Sequence, residues 1–592
     1  MKKSCILLVL IVLVSCQKTI PKHESVNNIY KADILKVVQE VSKLERLIKS
    51  NTVTAALQQQ FLQAHSSYKQ VETISEYYFP AVSKAINGPA LAEFEENDKK
   101  TLPAEGFQVI EEFIFPEYNA KLKAELLTEM GILSANLKRL VKVSQTNEFT
   151  DAHVFDAMRL EVFRIITLGI TGFDSPIAQQ SIPEAQAALE SIEKYYKIYA
   201  ASSQDASLQQ VLTTLEEGKR YLKDNSSFNS FDRAFFIRKI ANPLSIGLHE
   251  TQVSLKIPFL KETRGLRTTA KTLFDANAFD VEAFSAFPDY ETTPDKIALG
   301  KLLFNDPVLS GDNSRACASC HHSEKAFTDG LEKAISLDGN SLVKRNTPTL
   351  THIAFQRVFF YDSRVNYLED QAVAVIKNEN EMHGSLIKSV LALKNKVSYV
   401  TRFQKAFPNK EIDEFGIKNA LASYIRSLSK YDAKFDAYMR GDAKLDWNEV
   451  AGFNLFTGKA KCATCHFIPL TNGTVPPSFM KSESEVLGVP NQHKKLDADL
   501  GKFDLTKAEI HRNSFKTPTL RNVELTAPYM HNGVFKTLEE VIDFYNDGGG
   551  NGLGFNLPNQ TLPEDKLNLT DLEKKQLIAF VRTLTDKKYS LK

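Results

Sequence analysis

Charge of one sign is what this 592-residue chain most plainly lacks. Its 73 Lys and Arg face 72 Asp and Glu, for a net charge of +1. That balance leaves no electrostatic case for nucleic-acid binding. Long apolar runs are scarce too. Ile6 to Val14 is apolar but too short to span a bilayer, and no later stretch is apolar enough for a transmembrane helix. Between residues 30 and 255 there is no strand-like alternation and little glycine, which argues against a β architecture there. Tryptophan occurs once, at Trp447, and cysteine six times.

Each cysteine can be given a place. Lys2 and Lys3, ahead of Ile6 to Val14, form the charged and apolar parts of an export signal. Leu13-Val14-Ser15-Cys16 has the form of a lipoprotein cleavage and acylation site. Residues 1–15 would be removed, Cys16 lipidated, and residues 16–29 left as a polar tether. The plainer alternative is an ordinary signal peptide that happens to contain Cys16. Read as a lipobox, the segment predicts an exported bacterial lipoprotein on a periplasm-facing membrane surface, inner or outer. Cys5 leaves with the signal. The other four form two strings, Cys317-Ala-Ser-Cys320-His321 and Cys462-Ala-Thr-Cys465-His466. No thiol remains for a disulfide or a nucleophile.

Cys-x-x-Cys-His is the attachment signature of haem c, with two thioether bonds and the adjoining histidine beneath the iron. Zinc sites and redox dithiols also use Cys-x-x-Cys. Zinc pairs usually lie about 15–20 residues apart. Here Cys317 and Cys462 are 145 positions apart, and each pair carries its own histidine. The motifs therefore predict two covalently bound haem c groups and a protein that handles electrons.

Ile34, Val37, Val38, Val41, Leu44, Leu47 and Ile48 recur at helical period behind Asp33, read as an N-cap. The expected fold is all-α: a helical bundle over 30–255, a connector over 256–289, and two tandem cytochrome c-like domains at 290–440 and 441–592. Thr293-Pro294 reads as the N-cap and first position of a helix. The two domains follow from an internal repeat. Gly300-Lys-Leu-Leu-Phe304 precedes the first Cys-x-x-Cys-His and Gly452-Phe-Asn-Leu-Phe456 the second. Thr347-Pro-Thr-Leu350 and Thr517-Pro-Thr-Leu520 follow them. At this offset of 170, Gln371 faces Val541, Glu381 faces Asn551, Tyr361 faces His531, and Tyr545 faces Val375. The first haem thus has an acid and an amide that the second lacks, and the second has a tyrosine that the first lacks. One is built for chemistry, the other for electron transfer.

Further strings are Leu303-Phe-Asn-Asp-Pro-Val-Leu-Ser310, Ala326-Phe-Thr-Asp-Gly330, Arg345-Asn-Thr-Pro-Thr-Leu350, Leu368-Glu-Asp-Gln-Ala372, Glu381-Met382 and Pro528-Tyr-Met-His-Asn-Gly533. With the haem motifs they make residues from about 273 to 592 resemble the bacterial di-haem cytochrome c peroxidase family, which includes the MauG-type oxidases. The resemblance implies reduction of hydrogen peroxide with electrons from a small cytochrome c or a cupredoxin. It places His321 beneath the peroxidatic haem, with Glu381 and Gln371 on the distal side. There a carboxyl moves a proton between peroxide oxygens and an amide holds the bound oxygen. Tyr361 stands where the family has an inter-haem tryptophan. His466 would serve the electron-transfer haem, with Tyr545 as sixth ligand as in the MauG branch, and Met530 as a less favoured substitute. A calcium ion between the haems would be held by Asn346 and the backbone carbonyls of Thr526 and Pro528. Family members often form homodimers.

Many members also carry a distal histidine on a loop after the first motif. Between Ser323 and Thr351 this chain has none, and His322 adjoins the proximal ligand, so the first iron is expected to be open. In the N-terminal half, Gly106-Phe-Gln108-Val-Ile-Glu111 and Tyr68-Lys-Gln-Val-Glu72 weakly resemble imelysin-like motifs. Gln108 replaces their histidine, so a structural bundle is expected rather than a metal site. Three functions stay open: a peroxidase, a MauG-like oxidase of a protein or organic substrate, and a non-enzymatic haem electron carrier.

Overall fold

A computed structural model describes residues 20–590, apart from 51, 96 and 202–204. The expected signal peptide and Cys16 lie outside the described residues. The described residues are mostly helical, with two short antiparallel ribbons among them: Glu93–Glu95 with Lys100–Leu102, and Ser484–Val486 with Ser514–Lys516.

The first helix, Lys22–Lys49, begins earlier than its sequence pattern suggested. Val26 and Tyr30 extend the buried stripe of Ile34, Val37, Val41, Leu44 and Ile48 by two further turns. The tether therefore ends before Lys22, not at residue 29. Asp33 is not a cap; it sits mid-helix and accepts from Lys194 Nζ at 3.0 Å. Helices Thr54–Tyr78, Lys123–Thr146, Asp151–Arg164, Ser181–Ala200, Ala206–Asp224 and Asn242–Ser254 complete most of the bundle. Residues 256–289 are a packed strap more than a linker. Leu266, Leu273, Phe274 and Ala278 are buried, and Arg264 pairs with buried Asp156 at 2.5 Å.

The C-terminal half repeats in space as it does in sequence. Helix Pro294–Asn305, capped by Thr293 Oγ1 accepting from the Lys296 N–H at 3.3 Å, crosses Glu414–Arg426 at Gly300. Trp447–Phe456 crosses Asp571–Arg582 at Gly452 in the same way. The backbone bridges Phe359 to Val365 and Tyr529 to Phe535 are 170 residues apart. His352 and Asn522, also 170 apart, both have positive φ (57° and 61°) and both hold Asp586, at 2.9 and 2.8 Å.

The bundle shares its core with the second of these modules and with the end of the first, through Phe355, Tyr431, Phe435 and Tyr438. Phe236, Leu244 and Phe274 share one apolar core with Phe435, Phe453 and Phe580. The first module has a separate core around Leu303, Phe304, Phe403 and Ile417. Two π-helical stretches in the bundle, Ile165–Gly169 and Ile237–Ala241, lead into the junction. Phe173, after the first, packs edge-on against Phe467 at 6.0 Å, and Arg238, in the second, lies over the Tyr438 ring at 4.0 Å. No residue from 451 to 480 is exposed, whereas 311–314, 319 and 323–325 in the first module are exposed.

Each helix crossing depends on a missing side chain. A Cβ on Gly452 would lie 1.9 Å from the Gln576 carbonyl oxygen. Gly452→Ala must push the helices apart and is expected to cost about 1–3 kcal/mol or more, read by denaturant unfolding.

Candidate haem sites

The first Cys-x-x-Cys-His winds through a short turn, Cys317–Ser319, that brings the Cys320 thiol within electrostatic reach of Cys317. His321 Nδ1 donates to the Phe327 carbonyl at 2.7 Å. That bond fixes the tautomer and leaves Nε2 free as a ligand. Burial lowers the His321 pKa and so favours the neutral ligand form. Burial also pushes the Cys317 and Cys462 thiols up to about 12, which disfavours a thiolate metal site or an active dithiol. The donor set fits haem c at both motifs: two un-ionised thiols for thioether bonds and a neutral imidazole.

Helix Leu368–Lys377 packs on the same core as this loop. Its Ala372, Val373 and Val375 pack on the apolar cluster that Cys317 also joins. Gln371 on this helix is buried, and its Oε1 has no partner. The helix stops at Asn378, whose carbonyl accepts the N–H groups of Glu381, Met382 and His383. Asn378 Nδ2 donates to Glu381 Oε1 at 2.7 Å, which anchors one carboxyl oxygen and leaves the other free. Glu381 lies within electrostatic reach of Cys320. Burial raises its pKa, opposed by Arg364, the Asn378 bond and Arg315. His322 Nε2 meets the Ser319 carbonyl on its own loop at 3.1 Å.

The second motif has a similar turn, Cys462–Thr464, but different surroundings. Carbonyls of Thr471 and Pro518 face His466, yet Nδ1 closes no hydrogen bond. Burial dominates and pulls this imidazole down to about 4. Tyr545, on helix Leu538–Asn546, reaches the field of Cys465, Cys462 and Glu485, and burial raises its hydroxyl pKa.

Comparison with known proteins gives these motifs a family. Residues 294–444 match the model of the di-haem cytochrome c peroxidase family. Cytochrome-c peroxidase IdrP2 of Denitromonas iodatirespirans is 34% identical over 311 residues, covering 49% of this chain and 82% of that protein. The methylamine utilization protein MauG of Methylorubrum extorquens is 34% identical over 295 residues, covering 49% and 78%. The cytochrome c551 peroxidase of Nitrosomonas europaea is 32% identical over 294 residues, covering 49% and 80%. This chain belongs to the di-haem cytochrome c peroxidase family. Membership makes it an oxidoreductase with two haem c groups.

Between the modules of this di-haem protein, Tyr361 is half-buried. Its hydroxyl lies 3.4 Å from Asn346 Oδ1, and its carbonyl accepts from the Lys516 N–H at 2.7 Å. Burial raises the Tyr361 hydroxyl pKa; Arg345 opposes this and Asp329 adds to it. Asn346 Nδ2 donates to the carbonyls of Leu331 and Glu332 at 2.9 and 3.3 Å. Those two residues line a cavity of about 400 Å³ together with Ala527 and Pro528. Thr526 precedes this pair. Met530 has positive φ, at the repeat position of Phe360.

Some residues escaped the sequence reading. Asn378 and Arg315 matter only through contact with Glu381, and a motif shows no contact. Buried Asp329 acts on Tyr361, His321 and Cys320 together. Its place in Ala326-Phe-Thr-Asp-Gly330 was the available signal. In the bundle, Gln108 donates to the Asn87 carbonyl at 3.2 Å, Glu111 accepts from Ser175 and Ala178, and Tyr68 donates to Glu76. Glu72 pairs with Lys69 at 2.6 Å and with Arg164. Among the described residues, no three His, Cys, Asp or Glu side chains are arranged to hold a metal ion.

Because burial raises the Glu381 pKa, the charged carboxylate costs folded-state stability at neutral pH. Glu381→Gln is expected to stabilise the protein at pH 7. The gain should vanish below the ordinary glutamate pKa of about 4.3, where the carboxyl is neutral in both states. Denaturant titrations on either side of that pH check the sign.

Proposed function

We propose that the chain is a peroxidase: it receives electrons at the Cys462/Cys465 haem, passes them by Tyr361, and reduces hydrogen peroxide at the Cys317/Cys320 haem. The observation that carries this reading is the first module's pair of Glu381 and Gln371, with one carboxyl oxygen anchored and the Gln371 Oε1 buried without a partner. Bound haem supplies the iron that accepts peroxide and electrons. Glu381, with its raised pKa, holds a proton nearer neutrality than an exposed glutamate does and moves it from the near peroxide oxygen to the leaving one. Gln371 holds the bound oxygen through its amide. His321, tied to Phe327, keeps the proximal side rigid.

The two modules act as cytochrome c-like domains, 290–440 and 441–592. Tyr545 would help hold the second haem as an iron ligand, a role supported by its electrostatic reach to Cys465 and Cys462. Asn346 and the carbonyls of Thr526 and Pro528 bind calcium, the oxygen donors a hard cation requires; the cavity beside Leu331 and Pro528 supports this. The donor is a small cytochrome c or cupredoxin. The protein faces the periplasm on a lipid attached to Cys16 and can pair as a homodimer.

A MauG-like oxidase of a protein or organic substrate is the second reading. It is favoured by Tyr545 and by the absence of a histidine from residues 323–351 over the first site. Steady-state peroxide turnover with reduced donor, in wild type and Glu381→Gln, decides. A loss of about 10²–10⁴-fold is expected from removing the acid–base group, and unchanged turnover would remove Glu381 from its role. No turnover with any donor, together with peroxide-dependent oxidation of an organic substrate, favours the oxidase. Electron paramagnetic resonance of the isolated protein should show an open first iron; a wholly low-spin, bis-histidine signal there would sink that assignment.

A further inference from the structure

Lys516 is a buried cation without an acid. It ends the strand Ser514–Lys516 at the junction of the modules, where its main-chain N–H bonds the Tyr361 carbonyl. Two residues on, the Pro518 carbonyl faces His466, and the Lys516 charge itself acts on that imidazole. The ammonium donates to Gln356 Oε1, a neutral amide of the first module. Burial alone governs its electrostatics, with no carboxylate contributing.

Burying an ammonium is costly unless it is paired. Neighbouring buried cations obey this rule. Arg521 meets Asp436 at 2.5 Å, Arg345 meets Asp362 and Asp499 at 2.6 Å each, and Arg426 meets Glu369 at 2.8 Å. Buried arginines without an acid are wrapped by carbonyls instead: Arg233 donates to those of Ile170, Phe231 and Phe228, and Arg159 to those of Thr268 and Ala270. Lys516 has three donors and a single amide acceptor. The repeat isolates the difference, because the position 170 residues earlier is the neutral Asn346.

We infer that Lys516 is the counter-charge of the second haem: its ammonium pairs with a haem carboxylate, and its positive charge raises that haem's reduction potential. Haem c carries two propionate groups, which supply the carboxylate that the protein omits. Reduction removes one positive charge from the iron, so a fixed cation nearby favours the reduced form. Electrons are thereby drawn to the site beside Tyr361. The inference rests on the second motif holding haem, and it is independent of which substrate the first one serves.

Spectroelectrochemical titration of the di-haem protein tests it, with the first haem as internal reference. Lys516→Met should lower the second midpoint by about 59 mV, a tenfold change for one electron, and move the first far less. Lys516→Arg should restore it, and Lys516→Gln, which keeps a donor but not the charge, should not. If Lys516→Met fails to load the second haem while Lys516→Arg loads it, that also supports the pairing. An unchanged second midpoint in Lys516→Gln, or equal shifts of both haems, overturns it. Peroxide turnover of Glu381→Gln, measured alongside, reports on the functional reading separately.

Discussion

The apolar seam between the N-terminal bundle and the second haem module is the constraint on which the rest of the structure depends. Phe173 meets Phe467 beside His466, and the bundle's core continues into Phe435, Phe453 and Phe580. Burial of this kind is worth roughly 25 cal/mol per Å² of apolar surface, so the bundle is an integral part of the second module. No residue from 451 to 480 is exposed, whereas Ser319 and residues 323–325 of the first loop are, although the attachment cysteines and histidines of both motifs are half-buried. Two halves built from one repeat thereby differ in how much of the chain around each motif meets solvent.

Local electrostatics deepen the asymmetry. At the first site a tied imidazole lies below, and a half-buried carboxyl is held on one oxygen by Asn378. At the second site are an imidazole whose Nδ1 closes no hydrogen bond, a tyrosine hydroxyl and an ammonium with no acid partner. Proton movement needs a group poised near neutrality, and burial of Glu381 moves it in that direction. Electron transfer needs no proton donor at the iron, and the second site offers none at the Glu381 position: Asn551 stands there. At this repeat position the first module carries the acid, and the second carries Asn551.

Part of this was legible from residue order alone. The helical stripe from Ile34 to Ile48, the Thr293 cap and the 170-residue repeat are local or periodic signals, and they survive in three dimensions. The helix start was misplaced because Val26 and Tyr30 are widely spaced in a polar stretch, and only packing reveals their stripe. Residues 256–289 read as a linker because their buried side chains follow no period. Asn378, Arg315, Asp329 and Lys516 were missed for one reason: each acquires its meaning from a partner distant in sequence or from a turn whose form was unknown.

Sequence by itself determined the chemistry available to this protein: two Cys-x-x-Cys-His motifs, the inequality of the halves around them, and the family. These are covalent or short-range facts, written in adjacent residues. Tertiary structure decided how the bundle packs on the second module, which carboxyl oxygen of Glu381 is held, and that Lys516 lies buried without an acid beside Tyr361. Solvent exclusion and charge pairing depend on which surfaces meet, and no local pattern encodes that meeting.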